Sequence, residues 1–188
     1  MMRVVRLLMM LVLAAGVQAV MAQKVKLATS MGDIVIQLDA EKAPKSVANF
    51  VQYVKDGHYD GLIFHRVIPT FMIQGGGFDA DMKQKPTRAS IPLESRSGLS
   101  NMRGTLAMAR TMVPDSATSQ FFINVVDNQR LDAANAPDGN GYAVFGKVIS
   151  GMEVVDKIRA VPVGDKAGHQ NVPQQPVVIR KATLESDK

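Results

Sequence analysis

Two polar side chains of the 188-residue sequence lie among strongly hydrophobic residues. Arg66 falls within the run FHRVIP and Gln74 within the run FMIQGG. A buried strand tolerates such groups only when they are paired, because burying an unpaired charge or amide is costly. Strand alternation predicts that Phe64, Arg66 and Ile68 share one face. Two interpretations stay open: Arg66 acts on a ligand in a site, or it pairs with a buried carboxylate.

Other chemistries lack the residues they need. The chain has no Cys, which excludes a thiol nucleophile, a disulfide framework and Cys-ligated metal centres. The motifs G-x-S-x-G, H-E-x-x-H and G-x-x-x-x-G-K-[ST] do not occur. His58, His65 and His169 are far apart in sequence, and glycines 75–77 favour a bend after a strand over a phosphate cradle. We therefore expect neither a metal nor a cofactor.

The first 22 residues have the pattern of a secretory leader. Arg3 and Arg6 precede an apolar run over 7–20, and small residues stand at Ala19 and Ala22. The run is shorter than the roughly 20 residues that span a bilayer, although a membrane anchor or a buried helix is the alternative. The pattern predicts a signal peptide, cleaved after Ala22 or after Ala19.

Export determines the expected location and partners. Removing residues 1–22 leaves residues 23–188 as one mature domain, expected in the periplasm or, alternatively, secreted, without stable membrane association. The segment 79–103 is basic, but a solvated loop is the simpler interpretation, and we expect no nucleic-acid partner. A segment this long without periodicity is typical of a functional loop. We expect a monomer.

The elements around Arg66 and Gln74 are mostly short strands. Apolar alternation and turn residues predict eight of them, over 25–29, 34–38, 64–68, 71–74, 105–109, 121–125, 142–149 and 177–184. Two helices are predicted, one opened by Pro44 and ended by Gly57, the other over 152–160. So many strands leave little room for βαβ crossovers. We therefore predict a mainly β protein, a closed eight-stranded antiparallel barrel capped by two helices.

Three blocks of the sequence resemble the cyclophilin-type peptidyl-prolyl cis–trans isomerases. They are the run over 64–76, SQFFI over 119–123 and VFGKV over 144–148, in the order the family has them. The flanking elements extend the resemblance over essentially all of residues 24–184. The leader and the run TSQFFIN are similar to the periplasmic bacterial branch.

This resemblance implies isomerisation of X-Pro bonds in exported, proline-containing polypeptides that are folding or unfolded. It implies a substrate groove across one side of the barrel, with Arg66 as the catalytic residue. The implied substrate-binding residues are Phe71, Met72, Phe122 and Leu131 in a proline pocket, Gln74 and Gln120 as peptide-binding amides, and Ala109, Arg110, Thr111 and Tyr142 along the groove.

The sequence departs from many eukaryotic members at the groove rim. Arg130 stands where they carry Trp, Tyr142 where they carry His, and Arg110 where they carry Asn. These changes affect inhibitor binding more than catalysis. Without the indole, we expect cyclosporin to bind weakly.

The residue types suit a bond rotation that moves no proton. The barrier, about 18–20 kcal/mol, is lost amide resonance, and twisting restores a lone pair to the proline nitrogen. Arg66 stays protonated at ordinary pH and can donate to that nitrogen. Two alternatives remain open: a non-catalytic binder of proline segments in the same groove, and an interaction module that presents the loop 79–103.

Overall fold

The computed structural model describes residues 23–185, so the predicted signal peptide lies outside the described residues. The strands are β1 (Lys24–Thr29), β2 (Gly32–Leu38), β3 (Phe64–Ile68), β4 (Met72–Gly75), β5 (Thr105–Met108), β6 (Phe121–Asn124), β7 (Val144–Ser150), β8 (Val163–Lys166), β9 (His169–Pro173) and β10 (Ile179–Glu185). The α-helices are α1 (Pro44–Lys55) and α2 (Met152–Arg159), and a short 3-10 helix spans Gln129–Leu131. Within residues 23–185, no helix has both the length and the apolar character needed to cross a membrane.

Eight strands form one sheet in the order β10-β1-β2-β7-β5-β6-β4-β3, and every pairing in it is antiparallel. The first hairpin shows why the sequence folds this way. Val25 and Leu27 on β1 are fully buried, as are Ile34 and Ile36 on β2, while the residues between them are not. The alternation therefore gives each strand one core face, and the antiparallel prediction is confirmed.

The predicted closure of this sheet into a barrel is wrong. Within residues 23–185, no ladder joins the edge strands β10 and β3, so the sheet is a curled, open half-barrel. The two edges are joined beside their ends, where Ile63 and Val178 form an isolated bridge, Phe64 N donates to Val177 O over 3.0 Å and Ile179 N donates to Leu62 O over 2.8 Å. Beyond that point β9 packs against β3, and the edge is covered by this neighbouring hairpin.

Helix α1 begins at the predicted proline and ends just before the predicted glycine. Its apolar stripe, which includes Val47 and Phe50, is buried against the core. Asn49, on the same helix, is half-buried and donates through Nδ2 to Thr118 O over 2.6 Å. The helix is therefore tied to the segment that precedes β6.

The loop 79–103 contains no strand, as predicted, but it is bound closely to α1. Glu94 Oε1 accepts from Lys45 N over 3.0 Å, and its Oε2 accepts from Ser46 N and Ser46 Oγ over 2.7 Å each. The residue before the helix, Ala43, has no side chain that could cap it. A carboxylate from 48 residues away therefore satisfies the free amides of this helix end.

Two apolar clusters lie on opposite faces of the sheet. The larger one is the core, where the rings of Phe50, Tyr59, Phe121 and Phe145 pack with centroids 5.1–5.5 Å apart. The smaller one has four buried members on the outer face, namely Met72, Ala107, Phe122 and Val144. A second apolar cluster outside the core marks the face where a groove forms.

The hairpin of β8 and β9 and the short 3-10 helix were not predicted. The hairpin sequence VGDKAGHQNVP is polar and lacks strand alternation, so periodicity gives no signal there. Its turn uses Ala167 and Gly168, with φ of 50° and 79°. Gly168 adopts that conformation without steric cost.

Candidate active site

Arg66, Gln74 and Phe122 form a row across three neighbouring strands. Arg66 on β3 pairs with Gln74 on β4, which pairs in turn with Phe122 on β6. Residues opposite each other in a ladder point to the same face, so the three side chains converge on the outer face of the sheet. All three line one groove of about 710 Å³.

The prediction that Phe64 shares this face with Arg66 is wrong. The pairing register shifts between these two residues: their partners Gly75 and Gln74 are adjacent on β4, so His65 is an extra residue on β3. Phe64 is fully buried in the main core and meets Phe121 edge to face at 6.2 Å. This irregularity directs both His65 and Arg66 toward the groove, because an inserted residue breaks the two-residue period.

The guanidinium of Arg66 is half-buried and faces no carboxylate. Its Nη1 donates to Gln74 Oε1 over 3.3 Å, and Gln74 Nε2 donates to Gln120 Oε1 over 2.9 Å. Among residues 23–185, no acidic side chain forms an ion pair with Arg66. The neutral amide chain orients the cation and leaves its charge available to an acceptor in the groove.

Close approach by Gln120 explains one of the three glycines at 75–77. A Cβ on Gly77 would lie 2.6–2.7 Å from three side-chain atoms of Gln120. Any larger residue would push this amide out of the groove. The bend interpretation of the glycines is confirmed at Gly76, where φ is 85°.

An apolar pocket lies beside the cation. Met72 and Phe122 are 1% and 4% exposed, and partly buried Phe71 and Leu131 pack against them. The 3-10 helix supplies Leu131, and the residues after β3 supply Phe71. Arg130 lies above the pocket rim, with its guanidinium carbon 4.7 Å from the ring centroid of Phe71.

The structure gathers ten of the eleven predicted site residues in this groove. They are Arg66, Phe71, Met72, Gln74, Ala109, Arg110, Gln120, Phe122, Leu131 and Tyr142. Thr111, for which the resemblance implies contact with the peptide through the backbone, does not line the groove. Its exposed side chain is used in its own loop, where Thr111 Oγ1 bonds to Ser116 Oγ over 2.8 Å.

The far end of the groove has a second set of residues that the sequence did not reveal. The ring of Phe78 lies 4.7 Å from His65 and 4.9 Å from His169, which the β8–β9 hairpin brings to this place. The hairpin also supplies Gly168, Gln170 and Asn171. His65 could have been predicted as a groove residue because it is adjacent to Arg66 in sequence. No local sequence pattern indicated that the hairpin would contribute to the groove.

His65 is a neutral imidazole at ordinary pH. Burial, and to a smaller extent nearby His169, lower its pKa to about 4, although a backbone bond to Ile63 opposes the shift. Its Nδ1 is buried and has no hydrogen-bond partner among the described residues. A neutral ring beside Arg66 adds no second positive charge to this part of the groove.

Buried amides beneath the pocket hold its walls, and sequence reasoning missed them. Asn128 Nδ2 donates to Phe71 O and to Asn124 Oδ1 over 2.8 Å each. Asn101 Nδ2 donates to Asp132 Oδ1 over 2.9 Å, next to Leu131. Because buried amides are stable only when bonded, this network determines where both segments lie.

No cluster of three or more potential metal ligands occurs among residues 23–185. The antiparallel sheet with two helices and the groove that Arg66 lines are both features of a single protein family. The family model of cyclophilin-type peptidyl-prolyl cis–trans isomerases matches residues 24–184. The chain belongs to this family, and the sequence-based resemblance is confirmed. It is an enzyme that isomerises peptidyl-prolyl bonds.

Several similar bacterial proteins are named as peptidyl-prolyl cis–trans isomerases. The chain is 59% identical to a peptidyl-prolyl cis–trans isomerase of Acinetobacter baylyi, covering 86% of this chain and 85% of the relative. It is 52% identical to peptidyl-prolyl cis–trans isomerase A of Dickeya dadantii, covering 96% and 94%. It is 54% identical to isomerase B of Escherichia coli, covering 83% and 96%.

Solved structures agree with the fold. A crystal structure of a cyclophilin-type isomerase from Cryptosporidium parvum matches with a TM-score of 0.73 and 28% identity. The match covers 89% of this chain and 99% of that one. The mainly β fold with two helices is therefore shared across distant relatives.

Proposed function

We propose that this enzyme accelerates X-Pro rotation in exported polypeptides, with Arg66 stabilising the twisted bond. The observation that carries the proposal is the position of Arg66. Its guanidinium lines the groove beside an apolar pocket, is held by one amide, and is not neutralised by a carboxylate. A cation in such surroundings interacts strongly with any electron pair that develops next to it.

The chemistry requires a group that binds the transition state better than the ground state. In a planar X-Pro bond the nitrogen lone pair is delocalised, so the nitrogen accepts no hydrogen bond. Rotation makes the nitrogen pyramidal and localises the pair. A donor from Arg66 then bonds to an acceptor that exists only in the twisted form, which is the condition for catalysis.

The apolar wall and the two amides have complementary tasks. Phe71, Met72 and Phe122 hold the proline ring while the residue before it turns. Their low polarity disfavours the dipolar planar amide. Gln74 and Gln120 bond to the peptide backbone and keep Arg66 in position.

The required rate enhancement is within reach of these groups. Uncatalysed isomerisation takes tens to hundreds of seconds. Shortening tens of seconds to milliseconds is about 10⁴-fold, or roughly 5.5 kcal/mol. A charge-assisted hydrogen bond together with positioning has this size. The crystal structure of the Cryptosporidium relative in the presence of the dipeptide Ala-Pro supports a proline ligand for the shared fold.

Export through the leader is the second part of the proposal. Residues 1–22 would be removed after Ala22 or Ala19, and residues 23–188 would work as a monomer in the periplasm. The leader pattern supports this, with Arg3 and Arg6 before the apolar run over 7–20, and the match to the Dickeya relative reaches into that pattern, since its 181 residues exceed the 166 that remain when 22 are taken from 188. Fractionation of cells expressing the full chain, with mass analysis of the mature N-terminus, tests this part.

The mechanism is tested by isomerisation of a proline tetrapeptide by residues 23–188. We expect Arg66→Ala to reduce kcat/KM by at least about 10²-fold, the scale of losing one transition-state donor. Arg66→Lys keeps the charge without the planar donor set and should retain part of the activity. Arg88→Ala, a surface arginine on Asp56, is the matched control and should behave as wild type.

Unchanged turnover in Arg66→Ala would overturn the proposed mechanism. Peptide binding by the wild-type chain without any acceleration would instead favour the binder that the sequence left open.

A further inference from the structure

Arg110 has a buried side chain at the edge of the groove. Its main chain is partly accessible, but its side chain is only 3% exposed. Nε donates to Gly141 O over 2.8 Å, Nη1 to Thr111 O over 2.9 Å, and Nη2 to the carboxylate of Asp138. The charge of Arg110 is thus used inside the protein, and its side chain is not offered to a peptide.

The guanidinium of Arg110 contacts the wall of the proline pocket through Tyr142. Its central carbon lies 4.7 Å from the ring centroid of Tyr142. That ring meets Phe122 edge to face, with centroids 5.7 Å apart at 78°. Arg110, Tyr142 and Phe122 therefore form a continuous stack. Phe122 is a buried member of the pocket cluster, and Tyr142 is partly buried against it.

The loop 138–142, which we call the clamp loop, connects the same arginine to a second wall. Asp138 Oδ1 accepts from Gly141 N over 3.1 Å, and Tyr142 N donates to Leu131 O over 2.9 Å. A Cβ on Gly141 would lie 2.5 Å from Leu131 O, so the loop rests directly on the segment that carries Leu131. Gly141 has φ of 63°, which glycine adopts without strain.

We propose that Arg110 is a positioning residue that sets the shape of the proline pocket through the clamp loop. It holds Tyr142 against Phe122 and keeps Leu131 opposite them, without touching the substrate through its side chain. The inference rests on the proposed function of this pocket. It assigns to Arg110 a role in substrate affinity, separate from the role of Arg66 in the bond rotation.

Steady-state kinetics of residues 23–188 on a proline tetrapeptide test this role. We expect Arg110→Gln to raise KM about tenfold and to change kcat less than threefold, because Arg66 is untouched. Arg110→Lys restores the charge opposite Asp138 and should recover part of the affinity. Arg103→Gln is the matched control, since Arg103 also joins a carboxylate, Asp156, and a backbone carbonyl but does not line the groove.

A double-mutant comparison separates positioning from a general loss of stability. Adding Arg110→Gln to Tyr142→Ala should raise KM no further than Tyr142→Ala alone, because both act through one stack. Fluorine spectra of protein labelled with 3-fluorotyrosine give a direct readout. The resonance of Tyr142 should move in Arg110→Gln, whereas those of the core residues Tyr53 and Tyr59 should not.

The proposal is overturned if folded Arg110→Gln keeps KM within twofold of wild type or leaves the Tyr142 resonance in place. If that variant does not fold, Asp138→Asn replaces it with the same expected results, because it removes the carboxylate and retains Arg110. A wild-type chain that binds the peptide without isomerising it would defeat the proposed function. The same variants would then be compared by peptide Kd, which tests Arg110 independently.

Discussion

Arg66 and Gln74 are paired residues of adjacent antiparallel strands, and Arg66 Nη1 donates to Gln74 Oε1 over 3.3 Å. The partner of the cation is therefore an amide and not an acid. An amide orients the guanidinium while leaving its net charge in place. A carboxylate at the same distance would orient it equally well and cancel the charge.

Gln74→Glu should consequently lower kcat/KM by about 10²-fold although the side chain keeps its size. The new carboxylate would form an ion pair with Arg66 and would compete with the twisted proline nitrogen. Gln74→Leu, which loses both amide bonds but leaves the cation free, should lose less. Peptide isomerisation by the two variants makes the comparison. A Glu variant as active as the Leu variant would contradict the role assigned to the free charge.

The stability of the protein should fall between pH 6.5 and pH 4. The pKa of His65 is lowered to about 4 in the folded chain, chiefly by burial, so the unfolded chain binds more protons in this interval. The contribution of His65 to the free energy of unfolding should drop by up to about 3 kcal/mol on acidification and level off above its unfolded pKa of about 6.5. Urea unfolding at several pH values measures it.

His65→Gln should remove most of this pH dependence. The pKa of His58 is also lowered, mainly by burial, so a smaller dependence in the same direction should remain. His58→Gln is the matched variant that removes the smaller part. An undiminished slope in His65→Gln would show that the burial of its imidazole is not the cause.

Glu94→Ala should destabilise the fold without affecting the chemistry. The carboxylate caps α1 through the amides of Lys45 and Ser46 and does not line the main groove. Losing it should lower the free energy of unfolding by about 2 kcal/mol, the scale of a helix cap with charge-assisted bonds. Glu94→Gln, which keeps one acceptor, should lose about half as much. A loss of kcat/KM with unchanged stability would contradict this assignment.

Cyclosporin should inhibit the wild-type enzyme only above micromolar concentrations. The rim position carries Arg130, whose guanidinium covers Phe71 in place of an indole. Arg130→Trp should therefore improve inhibition by about tenfold or more, whereas Arg130→Ala should bring no gain. Inhibition of the wild type in the submicromolar range would refute the expectation.

Local sequence patterns were sufficient for most of the sheet. The bounds of β3 follow from its apolar residues, and α1 begins at Pro44 as the sequence predicts. Alternation gives each strand a core face because a two-residue period is intrinsic to an extended chain. The apolar pocket residues Phe71, Met72, Phe122 and Leu131 could be named only through the resemblance, since their convergence is not a local property.

Pairing between strands decided the orientation of the site. Phe64 enters the core and Arg66 enters the groove because β3 and β4 shift register between them, and no pattern within β3 announces that shift. The edge of β3 is covered by the polar hairpin β8–β9, so the sheet stays open where alternation had suggested closure. The orientation of Arg66 and the open edge of the sheet both depend on which strand lies next to β3.

The sequence by itself determined which residue types are present, which face of each strand is apolar, and that Arg66 and Gln74 would need partners. Only the tertiary structure decided which residues are the hydrogen-bond partners of Arg66 and Gln74. Arg110 illustrates the reason: its surroundings in sequence resemble an exposed loop, yet Asp138 and Gly141, about thirty residues away, bury its charge. Partner choice depends on contacts between distant segments, and those exist only once the chain has folded.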